Sequence, residues 1–190
     1  YKLGVWVRDS AQGIGTLSYI TENGGFAALG HGVNDADIGN LMELKKGSIY
    51  ETNILGIRKA DASHPGELTG VMTFDGNDYV GKIEENTAKG IYGSLSEEFF
   101  GTERGQEFLG DCVSYPAALK QEVKCGPAQI YCCVAEAPAF YDITIDEVLY
   151  NSSESNRGIM LTITDPQLLS MTGGIVQGMS GSPIVQNGKV

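Results

Sequence analysis

A β-hairpin is predicted by the stretch Gly15-Thr16-Leu17-Ser18-Tyr19-Ile20-Thr21-Glu22-Asn23-Gly24-Gly25-Phe26-Ala27-Ala28-Leu29. Residues 15–20 and 26–29 are short β-type runs, and the polar, glycine-containing segment between them is typical of a turn. Similar runs follow along the rest of the chain, at 48–57, 67–74, 79–83, 90–95, 120–124, 128–135, 141–149, 158–164, 182–185 and 189–190. Many short strands at near-regular spacing predict an all-β sandwich or barrel.

Composition and charge limit the class of protein. The 190 residues include 26 glycines without a three-residue period, which excludes collagen and favours many tight turns. Hydrophobic residues make up 42% and charged residues 19%, which excludes a disordered tail. The 13 basic and 24 acidic side chains give a net charge of −11. Because so acidic a surface repels phosphate groups, we predict no nucleic-acid partner and no docking on anionic membranes.

The organisation of the chain is predicted from its ends and from one interruption. No run approaches the roughly 18 apolar residues of a membrane span, so none is expected in this chain. The chain begins at Tyr1 in β-type sequence, which suggests a piece of a longer protein. The strand rhythm breaks at residues 96–107, and this break predicts a boundary between two lobes, 1–95 and 96–190.

The four cysteines, Cys112, Cys125, Cys132 and Cys133, are interpreted as structural thiols. Cys132 and Cys133 lie in an apolar run, where they would point to opposite faces of a strand. A disulfide between two of the four is the alternative. Paired Cys-x2-Cys spacing and a nearby histidine are lacking, so we predict neither a metal site nor a cofactor.

A candidate nucleophile lies in the string Gly178-Met179-Ser180-Gly181-Ser182-Pro183. A nucleophilic serine needs exposure at a tight turn, a base, and backbone N–H groups directed at the developing oxyanion. The flanking glycines allow φ values closed to other residues, so consecutive amides can turn toward one point. Taken alone, the same string is more typical of a Gly-Ser-rich hairpin loop without catalytic function.

The base must be one of two histidines. His31 follows an apolar run and is bracketed by Gly30 and Gly32, so it is predicted at the end of a strand, where site residues are held on a rigid scaffold. His64 lies in Ser63-His64-Pro65-Gly66, which predicts an exposed turn.

An acid is also expected, to orient the histidine and stabilise its imidazolium. Asp165 ends a β-type run and precedes Pro166, a pattern that equally predicts the N-cap of a single helical turn at 166–169. Spacing alone does not separate the candidate acids, which are Asp35, Asp37, Asp75, Asp78 and Asp165.

Two groups of strings, one near each end of the chain, match a known family. The first pairs Gly13-Ile14-Gly15-Thr16-Leu17 with Ala28-Leu29-Gly30-His31-Gly32. The second pairs Ile163-Thr164-Asp165-Pro166 with Thr172-Gly173-Gly174-Ile175-Val176-Gln177-Gly178-Met179-Ser180-Gly181-Ser182-Pro183-Ile184-Val185-Gln186-Asn187-Gly188-Lys189. Together they resemble the SpoIVB peptidases, serine proteases of spore-forming bacteria. The resemblance covers essentially the whole peptidase domain.

The resemblance implies two six-stranded antiparallel β-barrels of chymotrypsin-like type, with the catalytic cleft between them. It implies His31 as base, Ser180 as nucleophile and Asp165 as acid, with the N–H groups of Gly178 and Ser180 as the oxyanion hole. The implied partner is a protein substrate, a membrane-associated regulator of sporulation signalling, with self-cleavage as a second event. The family also carries a PDZ domain and a membrane anchor, and it acts between the two membranes of the developing spore.

The sequence departs from trypsin-like enzymes at several points. Met179 replaces the aspartate that pairs with a new N-terminus, so that route of activation is not expected. Asp165 lies only 15 positions before Ser180, whereas the acid usually lies midway. Asp75, 44 positions after His31, or Asp35 or Asp37 could replace it, or the enzyme could work as a dyad.

The end of the chain raises a second hypothesis. Family members continue past residue 190, so we expect the last barrel strands to be missing, and this form could be inactive. The competing hypothesis is a non-catalytic β-domain that binds peptides or a partner.

Overall fold

The computed structural model describes residues 12–35, 39–44, 46–61, 63–74, 76, 78–135, 137–150 and 158–190. Its strands are β1 (Leu17–Ile20), β2 (Gly25–Ala28), β3 (Gly47–Tyr50), β4 (Asn53–Arg58), β5 (Gly66–Val71), β6 (Tyr79–Thr87), β7 (Gly90–Leu95), β8 (Gly126–Cys132), β9 (Ala139–Val148), β10 (Ile159–Ile163), β11 (Val176–Gln177) and β12 (Ile184–Val185). Its helices are α1 (Glu97–Phe100), α2 (Glu103–Gly110) and α3 (Pro166–Thr172), with a 3₁₀ turn at Lys120–Glu122. None of these helices has the length and apolar character needed to cross a membrane.

The strands form three sheets. One has five antiparallel strands in the order β1-β2-β7-β6-β3, and a second has four in the order β10-β9-β8-β12. The third has the order β11-β5-β4, in which β11 runs parallel to β5 and pairs Val176 with Gly66. The predicted hairpin is confirmed by the pairing of β1 with β2, which are joined by reciprocal bonds between Thr21 and the Gly24–Gly25 turn.

Two hydrophobic cores lie under these sheets. The first is built on β2 and β7 and contains the buried Phe26, Ala28, Ile91 and Leu95. The second unites β8, β9, β10, β11 and α3. Strand β9 shows the expected period of two, because Tyr141, Ile143 and Ile145 are buried while the residues between them are more exposed.

The second core also draws on the first half of the chain. Leu68 of β5 packs there, so segments from both sides of residue 95 share one core. The predicted lobes, 1–95 and 96–190, stay a prediction. The all-β class is confirmed. Among the described residues the strands form open sheets, and the two-barrel architecture stays a prediction.

Two expected strands are corrected, and the expected interruption contains helices. Residues 48–57 form two strands, β3 and β4, because the two halves of the run pair in different sheets. Residues 120–124 contain a 3₁₀ turn instead of a strand. The interruption at 96–107 holds α1 and the start of α2, whose N-caps are the hydroxyls of Ser96 and Thr102.

Candidate active site

Ser180 lies on a tight turn between β11 and β12. The turn is closed by the Met179 amide, which donates to the Val176 carbonyl at 3.2 Å, and by the Ser182 amide, which donates to the Met179 carbonyl at 3.0 Å. Met179 is only 5% exposed and anchors the turn in the second core. Ser180 itself is half-buried. The turn therefore holds the hydroxyl-bearing residue at the edge of the core.

The two glycines that flank the Met179–Ser180 pair, Gly178 and Gly181, both have positive φ. Gly178 has φ +108° and Gly181 has φ +94°, both in the region that side chains avoid. A Cβ on Gly181 would lie 2.4 Å from the Thr16 carbonyl oxygen and 2.6 Å from the Leu29 nitrogen. The φ values predicted for the glycines around Ser180 are therefore observed, and close packing adds a second reason for glycine at position 181.

His31 follows β2 after a sharp change of chain direction. Leu29 and Gly30 have φ +73° and +71°, so the backbone leaves the sheet and carries His31 to an exposed position. The His31 Nδ1 atom lies 3.0 Å from the Gly32 carbonyl oxygen. A carbonyl oxygen can only accept, so Nδ1 carries the proton in this contact and Nε2 of the neutral ring is left as the acceptor. This is the tautomer that a general base requires.

The histidine and serine segments meet at Thr16. The Thr16 amide donates to the Ser180 carbonyl at 2.9 Å, and the Leu29 amide donates to the Thr16 carbonyl at 3.1 Å. Gly181 also lies against the Leu29 amide, two residues before His31. The segments that carry the predicted base and nucleophile are therefore neighbours, although no hydrogen bond joins the side chains of His31 and Ser180.

Asp165 is the N-cap of α3, which is one of its two predicted roles, the other being the catalytic acid. Its Oδ1 atom accepts from the amides of Gln167 at 2.8 Å and Leu168 at 2.9 Å. Its Oδ2 atom lies 3.4 Å from the Asp142 amide. These amides, that of Leu168 most strongly, lower the pKa of the Asp165 carboxyl. Asp165 makes no hydrogen bond to His31, so its role as acid stays a prediction.

The remaining candidate acids lie in three situations. Asp35 is half-buried, and its backbone bonds to Gly39 and Asn40. Asp78 accepts from the Thr73 hydroxyl and from Arg104 Nη1 at 3.2 Å, so its carboxylate is engaged by these side chains. Asp37 and Asp75 lie outside the described residues.

Comparison with known families decides the identity. The family model for the SpoIVB peptidase S55 matches residues 1–190, the whole chain. The chain belongs to this family. Searches of curated proteins and of solved structures gave no significant match. The chain is accordingly a hydrolase, a serine peptidase of the SpoIVB type, and peptidases of this family act on protein substrates.

The other titratable groups of this SpoIVB-type chain fit structural roles. All four cysteines are free thiols, and Cys132, 2% exposed, has its pKa raised to about 11 by burial. His64 is in an exposed turn, as predicted, where its amide donates to Asp61 Oδ1 at 2.8 Å. Within the described ranges, no cluster of His, Cys, Asp and Glu could hold a metal ion.

Two polar residues near the site were missed by the sequence reasoning. The Thr16 hydroxyl donates to the Gly178 carbonyl at 2.9 Å, across 162 positions of sequence. The Asn86 side chain bonds both backbone groups of Val33 and the carbonyl of Met42, which fixes the loop after His31. Neither contact has a local sequence signal, because each depends on which strands become neighbours.

Proposed function

We propose that this chain is a serine endopeptidase in which Ser180 is the nucleophile and His31 is the general base. One observation carries the proposal: the glycine-flanked turn of Ser180 packs against Thr16 and Leu29, two residues before His31, whose Nε2 is available to accept a proton. Presentation on a tight turn and a base of the right tautomer are two of the three requirements of a nucleophilic serine, and the third is a pair of N–H groups for the oxyanion.

The reaction follows from these roles. As Ser180 Oγ attacks the peptide carbonyl carbon, His31 Nε2 takes the hydroxyl proton. The carbonyl oxygen becomes an oxyanion, which the N–H groups of Gly178 and Ser180 would stabilise. The C–N bond then breaks, His31 gives its proton to the leaving amine, and an acyl-enzyme remains. Water, deprotonated by His31, attacks this ester, the acyl C–Oγ bond breaks, and His31 returns the proton to Ser180 Oγ as the carboxylic product leaves.

Asp165 is the proposed acid, on the strength of the family resemblance. Its Oδ1 atom is occupied by two amides of α3, whereas Oδ2 has one long contact of 3.4 Å. A carboxylate offers about four lone-pair sites, so capping a helix leaves acceptor capacity for an imidazole N–H. For Asp165 to orient His31, Nδ1 has to exchange the Gly32 carbonyl for this oxygen.

The biological role is proposed from the family alone. The substrate is a membrane-associated regulator of sporulation signalling, and self-cleavage is a second reaction. The enzyme acts between the two membranes of the developing spore, anchored to a membrane and together with a PDZ domain.

A serine-directed phosphonate tests the proposal, applied to the full-length protein with the modified peptide mapped by mass spectrometry. We expect labelling at Ser180 that is absent in Ser180→Ala and strongly slowed in His31→Ala. Ser182→Ala is the matched control, because this serine lies on the same turn, and it should label normally. Absence of labelling in the unmodified protein would favour the non-catalytic binding domain instead.

A further inference from the structure

Thr16 connects the two segments that carry the proposed base and nucleophile. Each of its three hydrogen-bonding groups is engaged. The hydroxyl donates to the Gly178 carbonyl at 2.9 Å and the amide donates to the Ser180 carbonyl at 2.9 Å. The Thr16 carbonyl accepts from the Leu29 amide at 3.1 Å, two residues before His31. One half-buried residue therefore joins the segment of Ser180 to the segment that precedes His31.

The two carbonyls held by Thr16, those of Gly178 and Ser180, lie on either side of Met179 in the turn that carries Ser180. Fixing the Gly178 carbonyl fixes the peptide plane between residues 178 and 179, and fixing the Ser180 carbonyl fixes the plane between residues 180 and 181. The plane between these two carries the Ser180 N–H, which is proposed to stabilise the oxyanion. Thr16 therefore constrains the planes on both sides of it, while the Ser182 amide holds the plane itself through the Met179 carbonyl at 3.0 Å.

The turn needs such a constraint because of its glycines. Gly178 and Gly181 both adopt positive φ, which glycine allows but does not enforce. A preorganised oxyanion site requires donors that do not reorient when the reaction begins. The backbone groups of Thr16 exist in any residue, so the part specific to threonine is the hydroxyl on the Gly178 carbonyl.

We propose that Thr16 is a positioning residue whose hydroxyl holds the 178–180 turn in the conformation that presents the Ser180 amide and hydroxyl. The inference rests on the proposed function, because it assigns a supporting role within the same site. Thr16 acts through the turn and touches no reacting atom.

Two variants separate the hydroxyl from the shape of the side chain. Thr16→Val keeps the branched shape and loses the donor, whereas Thr16→Ser keeps the donor and loses the methyl group. We expect Thr16→Val to lower kcat about 10-fold, the size of one lost neutral hydrogen bond, with KM unchanged. Thr16→Ser should stay within about 3-fold of the unmodified enzyme, a smaller loss than one hydrogen bond. Ser182→Ala is the control, because it removes only the 3.5 Å contact between the Ser182 and Thr16 hydroxyls.

A second readout does not depend on activity. Hydrogen exchange of the peptide covering residues 174–182 should be faster in Thr16→Val than in the unmodified protein, and unchanged in Thr16→Ser. Equal kcat and equal exchange in Thr16→Val would overturn the inference, as would equal losses in both variants, which would assign the effect to packing. If the unmodified protein does not react with the phosphonate, the proposed function fails, and the exchange measurement still decides the role of Thr16.

Discussion

Gly181→Ala tests the close contact between the nucleophile turn and the histidine segment. The new Cβ would lie 2.4 Å from the Thr16 carbonyl oxygen and 2.6 Å from the Leu29 nitrogen, two atoms that are joined by a hydrogen bond. Residues 16 and 29 must then move apart and lose this hydrogen bond, at a cost of about 1 kcal/mol. Displacing well-packed neighbours costs about 1–3 kcal/mol more. The positive φ adds about 1–2 kcal/mol for any side chain.

Gly188→Ala is the matched control for this substitution. Gly188 has φ +75°, and a Cβ there would meet nothing within 4 Å, so only the backbone cost applies, about 1–2 kcal/mol. The difference between the two variants, about 2–4 kcal/mol, corresponds to roughly 4–16 °C in melting temperature for a chain of this size. Thermal unfolding followed by circular dichroism measures it. Melting temperatures within 2 °C of each other would refute the close contact between the segments.

Two further predictions concern Asp165 and Cys132. Asparagine caps helices as well as aspartate does, so Asp165→Asn should unfold at an unchanged temperature while phosphonate labelling slows by up to about 10⁴-fold. Labelling of Asp165→Asn within 3-fold of the unmodified rate would limit Asp165 to its capping role. Asp165→Ala, which also removes the cap, should lose stability in addition to labelling rate. Burial raises the pKa of Cys132 from 9.0 to about 11, so the folded state favours the protonated thiol. Its contribution to stability is then fully present below pH 9 and is lost as the pH rises toward 11. We expect the melting temperature to fall more steeply over that range than in Cys132→Ala, and parallel curves would contradict the assignment.

The fold could be predicted where the determining contacts are local. The hairpin of β1 and β2 follows from turn residues between two apolar runs, and α3 follows from Asp165 and Pro166 at its start. The short helices after β7 could also have been predicted, because Ser96 and Thr102 are ordinary N-caps followed by glutamates. Sheet order could not be predicted in this way. The parallel pairing of β11 with β5 joins distant segments, and it depends on how the whole core packs.

The site residues also differ in whether a local sequence pattern marks them. Ser180 and His31 each have glycine neighbours whose conformational freedom marks the position, so both can be proposed from the sequence. Thr16 was not found, because a threonine before an apolar strand has no feature that distinguishes it from any other. Its importance arises only when residues 162 positions apart become neighbours.

Asp165 differs from Ser180 and His31, because its predicted N-cap role and its proposed catalytic role use the same carboxylate. The sequence around Asp165 predicts a helix N-cap, and that prediction is confirmed by two short bonds at Oδ1. The two hydrogen bonds at Oδ1 do not prevent Oδ2 from accepting a hydrogen bond from the imidazole, since a carboxylate accepts several hydrogen bonds. A cap would even serve an orienting acid, because amides that fix Oδ1 also lower the pKa and keep the group charged when the imidazolium forms. The two roles are therefore compatible, and only a substitution that keeps the cap and removes the charge can separate them.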